Sequence, residues 1–105
     1  MEYKDNFLEK LSYFEAIRVS YGFTSCWSIY EVWCGNRIHQ PHPFPNAVEL
    51  VYNDVSAPIC GKSWLDLWAA ADKCILTSND LHHVYIERFS KSRGQPGVLI
   101  LTTGS

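Results

Sequence analysis

Apolar residues recur along this chain with two periods, one helical and one alternating, and the changes of period divide it into six elements. In residues 5–21 apolar side chains return every three or four positions, which predicts a helix. Asp5 or Asn6 can accept its first free amide protons, and Gly22 stands where a left-handed residue would end it. The last turn also alternates, so an extended conformation there is the competing interpretation.

The second helical segment begins after Ser63, which is expected to cap it, and Asp66 three residues later resembles the acidic half of a capping box. Residues 77–80, Thr-Ser-Asn-Asp, supply turn chemistry at its end. Asp66, Asp72 and Lys73 lie outside the apolar stripe. The stripe comprises Trp64, Leu67, Trp68, Ala71, Cys74 and Ile75.

Four segments have the composition or alternation of strands: residues 26–34, 47–54, 81–89 and 97–103. The stretch 35–46 contains three prolines, which lack amide protons, so it is predicted as a stiff loop. Residues 55–62 are predicted to be irregular, and residues 90–96 to be the loop of a hairpin.

The element order α-β-β-α-β-β predicts an α+β protein. We expect residues 1–105 to form a single domain, a two-layer sandwich whose four-stranded antiparallel sheet carries both helices on one face. Such a layout leaves the second face of the sheet uncovered by helices.

Strand alternation assigns side chains to the two faces. Val48, Leu50 and Tyr52 are expected to meet the helices. In the third strand one alternating row comprises Leu81, His83, Tyr85, Glu87 and Phe89. If the odd-numbered positions share the helix-free face, the candidate ligand or interface residues are Glu31, Trp33, Glu49, His83, Tyr85 and Glu87.

Three interpretations of that face remain open. Aromatic anchors with a polar rim are typical of self-association surfaces, so a homodimer or another partner is the leading hypothesis. Carboxylates beside Trp and Tyr could instead bind a small, possibly cationic, ligand. The face could also be solvated surface with scattered apolar residues. An inhibitor or immunity-type protein also suits the small acidic format, without a motif to distinguish it.

Composition and charge argue against two classes of partner, nucleic acids and membranes. The chain has 105 residues and a net charge of −2, which argues against a nucleic-acid surface. It has no apolar run of about 20 residues, so no membrane span is expected. The first ten residues lack the apolar core of a signal peptide, which makes a cytoplasmic location the expectation.

Candidate chemistry is sparse. Four cysteines without metal-ligand spacing are expected to be reduced and mostly buried. His39 and His42 form an HQPH pair, but without a complete ligand set we expect no metal. No phosphate-binding or hydrolase motif indicates a cofactor or a reaction. A couple of His83 with Glu87 or Glu31 could act in acid–base catalysis, so enzymatic activity stays open although the sequence favours a binding role.

The segments WLDLWAAADKCI, SNDLHHVYIERF and LILTTGS make the final third of the chain resemble small bacterial proteins of mobile elements, such as integron gene-cassette products. The resemblance implies a compact, often oligomeric α+β protein. It implies no catalytic or binding residues.

Overall fold

The computed structural model describes residues 15–27, 38–79 and 84–104. Residues 15–21 are helical (α1), and α2 is Trp64–Ser78. The strands are β1 Cys26–Trp27, β2 Glu49–Tyr52, β3 Val55–Pro58, β4 Tyr85–Lys91 and β5 Val98–Gly104. The parts of the predicted elements that fall on residues 5–14, 28–34 and 81–83 lie outside the described residues.

The strands form one five-stranded mixed sheet in the order β1-β4-β5-β2-β3. The β2–β3 and β4–β5 pairs are antiparallel, whereas β1–β4 and β2–β5 are parallel. The α+β class is confirmed, but the expectation of a purely antiparallel sheet was wrong. A parallel pair needs a long crossover. The chain between β2 and β5, which includes α2, provides it, and β5 thus enters the sheet beside β2.

Strand β3 lies in a segment predicted to be irregular. It forms a hairpin with β2, in which Tyr52 pairs with Val55 across the two-residue turn Asn53–Asp54. Asn53 adopts a φ of 53°, a left-handed conformation that asparagine tolerates better than most residues. Pro58 cannot donate to a neighbour, and β3 is at an edge of the described sheet, where proline is acceptable.

Helix α2 begins as predicted. The Ser63 hydroxyl accepts from the Asp66 amide at 3.2 Å, and the Asp66 carboxylate accepts from the Ser63 amide at 3.0 Å, which completes the capping box. Asn79, with a φ of 61°, ends the helix in the left-handed region. Gly22 does the same after α1 with a φ of 71°, as predicted. Gly61 packs so closely against the Asp66 carboxylate that a Cβ there would overlap it.

The core lies between α2 and one face of the sheet. Leu50 and Tyr52 are buried there as predicted, whereas Val48 is 66% exposed, because it precedes β2 and lies beyond the helix. Ile17 of α1 also packs against this core. The buried apolar side chains include Leu67, Trp68, Ala71, Cys74, Ile75, Ile86, Leu99 and Leu101.

The described part of the proline loop, residues 38–46, is tied to the start of α2. The His42 amide donates to the Lys62 carbonyl at 2.8 Å, and the Trp64 amide donates to the Gln40 carbonyl at 3.0 Å. Pro41 and Ser63 form an isolated bridge between them. These contacts fix the loop against the N-terminus of α2. Ile38, the first described residue of the loop, is fully buried.

Candidate functional site

The face of the sheet that points away from α2, here called the open face, is set by strand alternation. Leu99 and Leu101 of β5 are buried against the core, so Val98, Ile100 and Thr102 between and beside them point the other way. The register places the remaining members of the open face on the neighbouring strands. They are Glu49, Val51, Tyr85, Glu87, Arg88 and Ser90.

A β-bulge in β4 changes which side chains reach the open face. Ile86 pairs with Thr103 and Arg88 pairs with Thr102, so Glu87 is an extra residue between them. The Glu87 carboxylate lies over Gly104, in the space that a Cβ at Gly104 would occupy, which puts Glu87 on the open face beside Arg88. After the bulge the even-numbered residues of β4 point to the open face and the odd-numbered ones to the core, which is the reverse of the order before it.

Phe89 therefore points to the core. The sequence predicts it on the helix-free face, in one row with Tyr85 and Glu87. It pairs with the buried Leu101 and packs against the core. Strict alternation assigned it to the helix-free face, and that prediction was wrong because the bulge adds one residue. Alternation carries no information about such an insertion.

The centre of the open face is apolar. Ile100 pairs with Ser90 on one side and with Val51 on the other, and Val98 lies two positions away on the same strand. Ile100 is 42% exposed, while Val51 and Val98 are half-buried. Three β-branched apolar side chains thus form a contiguous cluster with its middle open to solvent.

Charges of opposite sign flank this cluster along a diagonal. Glu49 pairs with Val98 at one corner, and Arg88 pairs with Thr102 at the opposite corner. Both side chains are exposed. In the part of the chain that the structure describes, neither has an ion-pair partner. The arrangement leaves the Glu49 carboxylate at one corner of the open face and the Arg88 guanidinium at the other, where the Glu87 carboxylate lies beside it.

The predicted site residues do not form one cluster. Glu49, Tyr85 and Glu87 are all exposed, whereas Glu31, Trp33 and His83 lie outside the described residues. Glu49 pairs with Val98 and Tyr85 with Gly104, at opposite ends of β5. At ~3.3 Å per residue their rows are about 20 Å apart. Tyr85 and Glu87 are close neighbours around Gly104, but Glu49 belongs to the other end of the face.

The two histidines of the proline loop have different surroundings. His39 is exposed, whereas His42 is 4% exposed and its Nδ1 accepts the Phe44 amide at 3.0 Å. An accepting Nδ1 places the ring proton on Nε2, which is buried without a hydrogen-bond partner among the described residues.

Burial lowers the pKa of His42, although the Gly61 backbone and the Asp66 carboxylate oppose that effect. Burial therefore favours the neutral form of the ring. No group of three or more potential metal ligands occurs within the described ranges.

A buried polar network joins α2 to the segment before β1. Asp72 Oδ1 accepts the amides of Thr24 and Ser25, at 2.8 and 2.7 Å, and the Ser25 hydroxyl at 2.8 Å. The Trp68 indole donates to the Ser25 hydroxyl at 3.1 Å. Asp72 lies outside the apolar stripe of the sequence and is nevertheless buried, and these donors satisfy its carboxylate. The full burial of Ser25 makes this network a structural anchor.

The cysteines also divide by burial. Of the two cysteines whose side chains are described, Cys74 is buried and donates to the Leu50 carbonyl at 3.6 Å, whereas Cys60 is exposed. Burial raises the pKa of the Cys74 thiol to about 11, and the Glu49 carboxylate adds to this. Cys74 therefore behaves as a small core side chain.

Within the described ranges, no helix combines the length and the apolar character needed to cross a bilayer. Comparisons of the chain with protein-family models, with curated proteins and with solved structures find no significant match. The resemblance to integron gene-cassette products stays a prediction.

Proposed function

We propose that this protein is an interaction protein that self-associates, with two copies packing open face against open face around Ile100. The observation that supports the proposal best is the pattern of that face. A solvent-open apolar cluster is flanked by charges of opposite sign. Interfaces combine an apolar centre with a polar rim in the same way.

The positions of the charges suit a symmetric pair. In a face-to-face dimer the two-fold axis lies in the plane between the sheets, and it interchanges positions on either side of the axis. An axis through Ile100, perpendicular to the diagonal from Glu49 to Arg88, would set Ile100 against its own copy. It would also set Glu49 of each chain opposite Arg88 of the other. One surface thus supplies both halves of two ion pairs.

At the centre of the face the same axis would place apolar side chains opposite small polar ones, and neither set carries a charge. Val51 would lie opposite Thr102, and Val98 opposite Ser90. Stacked sheets lie about 10 Å apart, a separation that side chains of this size can fill. The proposal takes both helices to lie on the core side of the sheet, which the contacts of α2 and of Ile17 with the core support.

Sedimentation velocity over a concentration series tests the proposal. We expect the sedimentation coefficient to rise with concentration towards that of a dimer, and Ile100→Lys to keep the protein monomeric, because a charge would be buried at the centre of the interface. Leu76→Lys is the matched control, since Leu76 is 49% exposed on α2 and away from the open face. A wild-type protein that stays monomeric to millimolar concentration would contradict the proposal.

A second candidate function rests on a different part of the same face. Tyr85, 44% exposed, pairs with Gly104, and the Glu87 carboxylate lies over that glycine, so the phenol and the carboxylate are close neighbours. A phenol ring and a carboxylate in this arrangement could hold a small quaternary ammonium ligand by charge and by cation–π attraction. The catalytic alternative with His83 depends on a residue outside the described ranges and gains no support here.

Tetramethylammonium is a suitable probe for this second function. Titration followed by nitrogen–proton correlation NMR should shift the amides of residues 85–88 and 102–104 in a saturable way. Glu87→Gln should weaken that binding, whereas Glu49→Gln, at the far end of the face, should leave it unchanged. Equal effects of the two variants would mean that the cation responds only to net charge.

A further inference from the structure

A cavity of about 250 Å³ lies away from the centre of the open face, between the proline loop and the turn that joins β4 to β5. Residues 44–47 line it on the side of the proline loop, and Lys91, Ser92 and residues 95–99 line it on the side of the turn, so Val98 of the open-face cluster is also part of its lining. We propose that this cavity binds a small carboxylate with a flat apolar body.

Charge decides the class of ligand. Lys91 is the one charged side chain among the described residues that line the cavity, and the lining contains no acidic side chain. Asn46, Ser92 and Gln95 add side-chain groups that can donate hydrogen bonds. An ammonium ion with amide and hydroxyl donors around it recognises an anion, and a carboxylate can accept from several of them at once.

Shape and polarity decide the rest of the ligand. The other lining side chains are apolar, among them Phe44, Pro45, Ala47 and Pro96. Small-molecule pockets usually measure roughly 300–1,000 Å³ and combine apolar walls with a few polar groups. This cavity is slightly smaller, which restricts it to a molecule about the size of a substituted benzene ring.

Both walls are already held in place. The Gly97 carbonyl accepts the amides of Val48 and Glu49, at 2.8 and 3.1 Å, so the turn is joined to the start of β2. Gly97 has a φ of 79°, and a Cβ there would come within 3.3 Å of the Asn46 carbonyl, so the two walls meet at a position suited to glycine. A wall that is fixed before binding loses little conformational entropy on binding.

Three probes of one shape test the proposal directly, namely benzoate, the neutral benzamide and the cationic benzamidine. Each is titrated into the full chain by nitrogen–proton correlation NMR. We expect benzoate to shift the amides of residues 44–47 and 91–98 saturably, and to bind at least about fivefold more tightly than benzamide, the ratio that roughly 1 kcal/mol produces. Benzamidine should bind more weakly than either.

Variants of Lys91 separate charge recognition from shape. Lys91→Met should remove the preference for benzoate over benzamide, and Lys91→Glu should shift it towards benzamidine. Lys73→Met is the matched control, because Lys73 is an exposed lysine on α2 away from the cavity. Lys91 is itself exposed, so a thermal melt should show both Lys91 variants folded.

Equal affinities for the three probes, or shifts outside the cavity, would overturn the proposal. Its outcome is separate from self-association, because Ile100→Lys is expected to abolish dimers and to leave benzoate binding intact. Loss of benzoate binding in Ile100→Lys would place the ligand on the open face and would also contradict the cavity.

Discussion

Leu99 and Ile100 are neighbours in one strand, yet they belong to opposite sides of the molecule. Leu99 is 2% exposed beneath α2, whereas Ile100 is 42% exposed at the centre of the open face. The core face is covered, and the buried Asp72 carboxylate on that side accepts three hydrogen bonds. The open face combines apolar side chains with charges that lack partners in the described chain. The first face stabilises the fold, and the second is the one for which we propose a partner.

The largest expected effect comes from truncating the two neighbours. Leu99→Ala should lower the free energy of unfolding by about 2–5 kcal/mol, because it leaves a cavity in the packed core. Ile100→Ala should cost the monomer about 1 kcal/mol or less, mainly through strand propensity. Urea denaturation at low protein concentration measures both. Equal losses would show that the open face is covered in the folded chain.

The next prediction concerns the buried polar network around Asp72. Asp72→Ala would leave the buried amides of Thr24 and Ser25 without an acceptor, at a cost of about 1–3 kcal/mol in unfolding free energy. Asp72→Asn should cost less, since its carbonyl oxygen can still accept.

Lys73→Ala, next to it and exposed, is the control for Asp72 and should change the free energy of unfolding by about 0.5 kcal/mol at most. If the alanine variants at both positions behaved alike, Asp72 would not anchor the segment before β1.

The buried His42 should make the free energy of unfolding depend on pH. Its pKa is lowered by burial from the ordinary value of 6.5, so the unfolded chain takes up the proton first as the pH falls. The free energy of unfolding should therefore be fully retained above that value. It should decline as the pH falls below it, until the pH passes the folded pKa.

Urea denaturation between pH 8 and pH 5 checks this prediction. His42→Asn keeps an acceptor for the Phe44 amide but cannot titrate, so it should show a smaller decline over the same range. His39→Asn, in the exposed neighbour, should behave like the wild type. An unchanged pH dependence in His42→Asn would remove His42 as the source.

The parts of the fold that local chemistry determines were predictable. Ser63 and Asp66 marked the start of α2, Gly22 marked the end of α1, and the β4–β5 hairpin followed from its turn residues. Strand β3 was missed because four residues ending in proline carry little alternation. The Asn53–Asp54 turn was the available signal for it. Parallel pairing depends on which strands meet in space, and alternation does not determine this.

The candidate site was predicted in part for the same reason. The exposure of Glu49, Tyr85 and Glu87 followed from alternation, but the separation of Glu49 from the other two depends on register. The bulge places Arg88 on the open face and Phe89 in the core, and the alternation of the sequence does not predict it. Ile100, the centre of the open face, was not singled out, although its position between Leu99 and Leu101 was a signal that could have identified it.

The most direct test of the open-face dimer is a charge exchange between its two corners. Glu49→Arg alone would set like charges against each other in a symmetric pair, and Arg88→Glu alone would do the same, so each variant should be monomeric by sedimentation velocity. Mixed in equal amounts they should form a heterodimer, because two ion pairs then form, one between the two substituted residues and one between the unchanged Arg88 and Glu49. Two variants that stay monomeric when mixed, or that dimerise separately as well as the wild type does, would contradict the account.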